Sequence, residues 1–441
     1  MFERLFRLSE NQTSIQREVL GGLTTFLTMS YIIFVQPAIL SEAGMDFGAV
    51  MTATCLSSAV ACFLMAFLAN YPVALAPAMG SNVFFAYVVC LGMGIPWQQA
   101  LGAVFISGVT FIVLSVLGVR RKIMDVIPES VKLAIGVGIG LMIALLGFQW
   151  AGVVVDNQAT LITIGSLTSP FVYVSGLGLI TGFVLQVLGV RGAILVAIVV
   201  SAISAMLFGI TEFHGVFSMP PSLEPTFLQM QPLTAITDYL FTVIFVFLLL
   251  DMFDTVGTLV GVATLGGFMK EGKLPRAREA LLSDAGGTIV GAMLGTSTVT
   301  SYVESCSGIS DGARTGLASV VTGLLFLAAL FTAPLVEMLG SGLEGPGGMT
   351  VYPVIAPALI MVGFMMIRAV QSIQWEEVSE GAPAFLCILL IAFSFSITEG
   401  IAFGFISYML LKLVKREWHE LTPVRWILTA IFIARYFFID I

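Results

Sequence analysis

The sequence predicts an all-α polytopic membrane protein, with fourteen transmembrane segments in a 7+7 inverted repeat and short extended pieces breaking the third and tenth. Three observations predict it. Of 441 residues, 58% are hydrophobic and 10% charged, with a mean hydropathy of +1.02, a composition that no water-solvated surface of this size tolerates. Apolar runs long enough to cross a bilayer recur along the chain, and the basic residues between them fall in alternate loops. Two of the runs are interrupted at corresponding places by residues that disfavour a continuous helix.

The first seven segments are predicted near 18–41, 48–69, 72–92, 98–118, 131–150, 172–189 and 192–209. The second seven follow near 236–262, 281–295, 297–310, 312–335, 350–368, 382–397 and 399–415. With the N-terminus inside, the inner loops hold Arg120, Arg121, Lys122, Lys132, Arg191, Lys270, Lys273, Arg276, Arg278, Arg314 and Arg368. The outer loops near 42–47, 93–97, 151–171, 210–235 and 336–349 hold Glu42, Asp46, Asp156, Glu212, Glu224, Glu337 and Glu344 but no Lys or Arg. Positive residues stay inside, and both termini are expected in the cytoplasm. The segment 424–438 is apolar but contains Arg425 and Arg435, so it is expected to lie in the cytoplasmic interface. Seven is odd, so two seven-segment halves enter the membrane in opposite senses. Shifting the first half by about 218 positions lays the fifth segment on the twelfth and Gly80 to Asn82 close to Thr298 to Glu304.

Residues 1–18 lack a basic stretch, a short apolar core and a small-residue cleavage site, so no removed signal peptide is expected. Cys55, Cys62, Cys90, Cys306 and Cys387 sit in apolar segments without CxxC or Cys/His spacing, which favours buried thiols over disulfides or a metal. His214 and His419 fall in a loop and the tail, away from any intramembrane site. No cofactor and no nucleic-acid partner are expected.

The broken segments mark the site. In 71–87, Pro72, Pro77 and Gly80 interrupt the apolar run, which predicts extended backbone over 73–76 and a half-helix starting near Ser81 and Asn82 as N-caps. In 295–308, Thr and Ser alternate with β-branched residues ahead of Glu304, again favouring extended backbone. Extended backbone at mid-membrane is tolerated where it is buried in protein or lines a cavity, and half-helix N-termini offer N–H donors to a ligand. The competing reading is that the prolines only kink their helix and that Ser81 and Asn82 only cap one.

Three carboxylates, Asp251, Asp254 and Glu304, lie in membrane segments with no Lys or Arg beside them. A lone carboxylate at the bilayer centre costs about 2.5–3.5 kcal/mol on the lenient insertion scale, so it persists where it lines a polar pathway and takes up a proton. Asp251 and Asp254 are three apart and face neighbouring directions. Asp254 is favoured as the functional acid because Thr255, Gly257 and Thr258 surround it, whereas Asp251 follows four apolar residues. Glu304 has a competing role as a helix N-terminal acid, and Asp284 as a helix cap or core hydrogen-bonding group. The 45 glycines most simply permit close helix packing.

Several segments together are similar to a known family. The 24–31 start (TTFLTMSY), the 74–87 break (ALAPAMGSNVFFAY), 253–258 (FDTVGT), 298–305 (TVTSYVES) and Arg314-Thr-Gly316 resemble the azaguanine-type purine permeases of the nucleobase/ascorbate transporter superfamily, nucleobase:cation symporter-2. The resemblance spans nearly the whole chain. It implies a cytoplasmic N-terminus at 1–17, a core domain of 18–118 and 236–335, a gate domain of 131–209 and 350–415, and a cytoplasmic interfacial tail at 416–441. It places substrate between core and gate, with Asp254 and Glu304 as the binding carboxylates, N–H groups near Val83 and Val303 facing the base, and Ser81, Asn82 and Thr258 lining the pocket. Proton coupling is implied for Asp254, Glu304 and Asp284. Gln36 stands where the family usually has Asn, and Ser81 where Leu is usual, departures that bear on purine preference.

The reading is a transporter rather than an enzyme, importing adenine, guanine or hypoxanthine with H⁺ across the inner or plasma membrane. An anion carrier of the same architecture and, more remotely, a polytopic membrane enzyme are the alternatives, and a homodimer through the gate domains stays open. Two pocket carboxylates argue against the anion carrier, and no nucleophile, metal or phosphate clamp supports the enzyme.

Overall fold

A computed structural model of the chain describes residues 2–117, 127–232, 238–269, 274–345 and 348–438. Arg120, Arg121, Lys122, Lys270, Lys273 and the start of the eighth expected segment at 236–237 lie outside the described residues. The described chain is mostly helical, and eight of its helices are long and apolar enough to cross a membrane, among them Ile15–Glu42, Phe47–Ala69, Trp97–Leu117 and Glu129–Trp150. It is a multi-pass membrane protein. These helices overlap expected segments with ends moved by a few residues, because hydropathy reports the apolar stretch while caps fix the boundary. All five cysteines are free thiols, three buried and two half-buried.

The chain divides into two compact units, Met1–Val116 with Gly147–Met361, and Leu117–Leu146 with Val362–Ile441. In the first, helix α1 (Ile15–Met29) is followed after Ser30 and Tyr31 by α2 (Ile32–Glu42), then α3 (Phe47–Leu64), whose N-cap Asp46 accepts the Ala49 N–H at 2.8 Å. The chain then becomes extended as β1 (Leu75–Pro77) before the half-helix α4 (Met79–Val83), continued by a wider helical stretch Phe84–Gly92. Helix α5 (Asp238–Leu265) and α6 (Ala277–Leu294) lead to a second extended piece, β2 (Val299–Ser301), and a second half-helix, α7 (Ser305–Ser310), followed by α8 (Gly316–Ala329).

The two extended pieces pair with each other as antiparallel strands, Leu75 opposite Ser301, Ala76 opposite Thr300 and Pro77 opposite Val299. Apolar surroundings demand that every backbone group find a partner. The ladder is extended by Ala78 N–H to Thr298 O at 2.8 Å and Tyr302 N–H to Ala74 O at 2.9 Å, while Tyr302 Oη donates to Pro77 O at 2.5 Å. Thr288 of α6 serves the outer edge of β2, its Oγ1 donating to Val299 O and accepting from Val299 N–H, each at 3.0 Å. Sequence alone locates both extended pieces; their pairing depends on groups more than two hundred residues apart.

Ser81 and Asn82 do not cap the first half-helix. Its N-cap is Ala78, which carries no capping side chain, and both expected caps lie inside the helix and are buried. Strand pairing holds Ala78 extended, so the first helical residue is Met79, and Asn82 is bonded elsewhere. Glu18 is a buried carboxylate whose role lies across the unit. It accepts the N–H groups of Arg314 at 2.8 Å, Thr315 at 3.3 Å and Ala318 at 3.2 Å, and so caps α8 from the opposite end of the sequence.

In the second unit, helices α9 (Val378–Ser394) and α10 (Ile397–Lys415) form a hairpin turned at Phe395, whose φ is +52°. Gly404 makes its close packing possible, since a Cβ there would lie 2.9 Å from Cys387 Cβ. The tail forms helix α11 (Pro423–Phe438), packed on α10 through Phe405 and Phe432, with Val424, Trp426 and Ile427 exposed. An ion-pair chain fastens this end. Lys412 Nζ lies 2.8 Å from Glu380 and 2.7 Å from Glu417, Lys415 Nζ lies 2.9 Å from Glu377 and 2.8 Å from Glu417, and Arg425 pairs with Glu420.

Candidate functional site

The site grows out of the interruption at Ser30–Tyr31. Ending α1 there turns the Tyr31 ring into the unit, where its Oη donates to Glu304 Oε1 at 2.9 Å, with both residues buried. Glu304 is the N-cap residue of α7, yet its side chain makes no capping bond to that helix. Its carboxylate is held by Tyr31 instead. The approach is set by glycine on both sides, because a Cβ on Gly308 would sit 2.2 Å from Gly21 O, and one on Gly21 would sit 2.7 Å from Gly308 O. Val303, beside Glu304, is 47% exposed.

Asp254 projects from α5 and is exposed. Thr300 and Glu304 are the groups near enough to act on its carboxyl. Strand β2 therefore joins the two acids, placing Thr300 near Asp254 and leading into Glu304 four residues later. Thr258, one turn beyond Asp254, is half-buried on the same face. Among the described residues, no Lys or Arg forms an ion pair with either acid.

Around this pair several buried polar groups meet hydroxyls. Thr255 Oγ1 donates to Asp284 Oδ2 at 2.7 Å and lies 3.1 Å from Thr300 Oγ1. Asp251 is buried against Thr288, whose hydroxyl lies 3.2 Å from its Oδ2, so Asp251 backs the residue that holds β2. Asn82 accepts from Ser297 Oγ, and Gln36 Nε2 donates to Thr296 Oγ1 at 2.8 Å, which ties the first half-helix to the start of the second broken segment.

Of the residues singled out by sequence, Asp254, Glu304 and Val303 come together around β2. Asp284 joins them through Thr255. Ser81, Asn82 and Val83 are buried on α4. Val83 is the last residue of that turn, and the Asn82 N–H is already bonded to Ala78 O at 2.9 Å. Helix geometry therefore leaves the N–H groups of Met79, Gly80 and Ser81, rather than that of Val83, as the donors at this helix start. Tyr31, Thr255 and Thr300 were missed as site residues. Tyr31 closes the 24–31 segment, and Thr300 sits in the β-branched alternation; neither signal says what the hydroxyl meets.

At the other end of α7, Asp311 accepts from Thr24 Oγ1 at 2.6 Å and pairs with Arg191, which precedes the helix Ala193–Leu207. The half-helix that begins at Glu304 is thus anchored at both ends.

Residues 16–404 match the Permease family. The chain belongs to that family. This permease is 43% identical to the adenine permease AdeP of Escherichia coli over 441 residues, covering 100% of this chain and 97% of that protein. It is 44% identical to the guanine/hypoxanthine permease PbuG of Bacillus subtilis, covering 98% of this chain and 99% of the relative. A putative permease of Methanocaldococcus jannaschii is 47% identical, covering 99% of this chain and 98% of its own. Among solved structures, the transmembrane domain of the cyanobacterial bicarbonate transporter BicA superposes with a TM-score of 0.64 at 15% identity, covering 88% of this permease and 97% of that domain. That likeness concerns the fold.

Proposed function

We propose that this permease imports purine nucleobases by proton symport, binding the base at mid-membrane where the half-helix starts meet Asp254 and Glu304. The observation that carries this reading is an exposed and a buried carboxylate beside β2, the buried one held by the Tyr31 hydroxyl, with no Lys or Arg in an ion pair with either among the described residues. A protonated Asp254 donates and an ionised Glu304 accepts, which suits a planar ring with N–H and C=O or ring-nitrogen groups side by side. The Val303 backbone supplies a further group at the exposed edge. The substrate class follows the relatives AdeP and PbuG, named for adenine and for guanine and hypoxanthine.

In this reading the fourteen segments form a 7+7 inverted repeat, with a core domain of 18–118 and 236–335 moving against a gate domain of 131–209 and 350–415 in the plasma membrane. Both termini, 1–17 and 416–441, are cytoplasmic, and α11 lies in the interface. Asp254, Glu304 and Asp284 couple the proton. Removing charge from an acid that faces a poorly solvated site is what links proton uptake to base binding.

Thermal-shift measurements across adenine, guanine, hypoxanthine, xanthine and uracil test the substrate class, because a ligand of the folded state raises apparent stability by mass action. Stabilisation by a purine and not by uracil is the expected result. Stabilisation by bicarbonate or sulfate alone would replace the reading with an anion carrier.

A further inference from the structure

We infer that Trp150 and Tyr352 form a gate pair that closes the outer route to the base site, by holding the far ends of two elements that build that site. The pair rests on the orientation and the core–gate division proposed above, and it adds the residues that keep one side shut.

Trp150 ends the helix Glu129–Trp150, and Tyr352 lies four residues before the helix Ala356–Met366, both within the proposed gate domain and the first compact unit. The two residues are joined as one body. Tyr352 N–H donates to Trp150 O at 3.0 Å, and their ring centroids are 4.2 Å apart. One turn before Trp150, Gly147 permits close packing of the two helices, since a Cβ there would lie 2.8 Å from Ile360 Cγ1.

Each ring then reaches the proposed core domain within the same unit. Trp150 Nε1–H donates to Tyr87 Oη at 3.1 Å, and Tyr352 Oη donates to Glu42 Oε1. Both gate side chains are buried, so their polar atoms need these partners. The partners sit where they bear on the site. Glu42 ends α2, which begins directly after Tyr31, the residue bonded to Glu304. Tyr87 lies on the wider helical stretch that continues α4 in the first broken segment. The 11 residues of α2 span about 16 Å, so the Glu42–Tyr352 bond is beyond reach of a base held at Glu304 and acts on access instead. Glu42 and the loop 336–349 ahead of Tyr352 fall on the outer side in the proposed orientation. When core and gate part, water replaces both hydrogen bonds, whereas with the domains together a deleted partner leaves a buried group unpaired. Deleting either partner therefore favours the outward-open form.

The test measures the adenine KM of the full-length permease from both sides, in cells lacking their own purine uptake and in inverted vesicles made from them. Tyr87→Phe and Tyr352→Phe each remove one oxygen and keep the ring. Apparent affinity on each side scales with the fraction of carriers open to it, so the ratio of inner to outer KM follows the outward-to-inward equilibrium. That ratio should rise about fivefold in each variant, the equivalent of one hydrogen bond, and further in the double variant. A loss of packing would move both KM values in the same direction and leave the ratio alone. If wild type moves adenine from neither side, the transport reading fails before the gate pair is in question. If wild type transports adenine and the ratio is unchanged in both variants, the gate pair is overturned. A fall in the ratio would overturn it too, by putting the pair on the inner side. Thermal unfolding of the purified variants identifies any that has lost its fold, and two independent positions keep the result decisive.

Discussion

The carboxylates around β2 in the first unit and those at the tail of the second are neutralised in opposite ways. In the first unit, Asp251, Asp284 and Glu304 meet Thr288, Thr255 and Tyr31, hydroxyl groups without formal charge. In the second, Glu377, Glu380, Glu417 and Glu420 meet Lys412, Lys415 and Arg425. A carboxylate beside a cation stays ionised throughout the physiological range. Hydrogen bonds from Lys412 and Lys415 bring the Glu417 carboxyl down to about 2, and Arg425 lowers that of Glu420. A carboxylate among hydroxyls can lose or gain its proton without breaking an ion pair. The first arrangement is the one that the proposed proton coupling requires, and the second fastens a helix.

The comparison breaks most visibly at Lys412, whose side chain is 6% exposed between two glutamates. Lys412→Met leaves Glu380 without its cation and Glu417 with Lys415 alone, and should destabilise the protein by about 3 kcal/mol, the low end of the range for a broken buried pair. Thermal unfolding in detergent, with adenine affinity as control, measures it; unchanged stability would mean the clasp contributes nothing.

Next in size is Glu304→Gln. An amide N–H replaces one acceptor proposed to face the base and removes the charge that Tyr31 serves, so adenine binding should weaken by about 1–3 kcal/mol, roughly 5- to 150-fold. Equilibrium binding at fixed pH reads the loss directly. Wild-type affinity would remove Glu304 from the pocket. Tyr31→Phe deletes only the donor at 2.9 Å and should cost about 1.5 kcal/mol in adenine affinity, with folding intact. If stability falls and affinity does not, Tyr31 is a packing residue.

The smallest effect is in acid. Glu417 has its carboxyl lowered in the folded state, so its contribution is present above the ordinary carboxylate range and is lost as pH falls through about 2. Wild-type stability should therefore decline toward pH 2 more steeply than that of Glu417→Gln. Parallel declines would show that the tail ion pairs are too exposed to matter.

Sequence made the membrane class legible because apolar composition and loop charge are properties of the whole chain, insensitive to local detail. Asp254 and Glu304 stood out for the same reason, as charges in segments that could not solvate them. The half-helix cap was placed at Ser81 and Asn82 rather than at Ala78 because both have the chemistry of caps, while the strand pairing that holds Ala78 extended is formed with residues near 298. Tyr31, Thr255 and Thr300 were invisible as a site for a related reason. A hydroxyl in a membrane segment is ordinary, and only the fold shows that Tyr31 and Thr255 meet acids and that Thr300 meets Thr255.

The central claim is that an acid without a counter-charge carries the coupled proton. Purified permease in liposomes loaded with a pH-sensitive dye tests it most directly, by following internal pH as external adenine is added. Wild type should acidify the interior in step with adenine entry, and Asp254→Asn should bind adenine yet move neither proton nor net base. Adenine entry without acidification in wild type, or undiminished acidification in Asp254→Asn, would contradict the account.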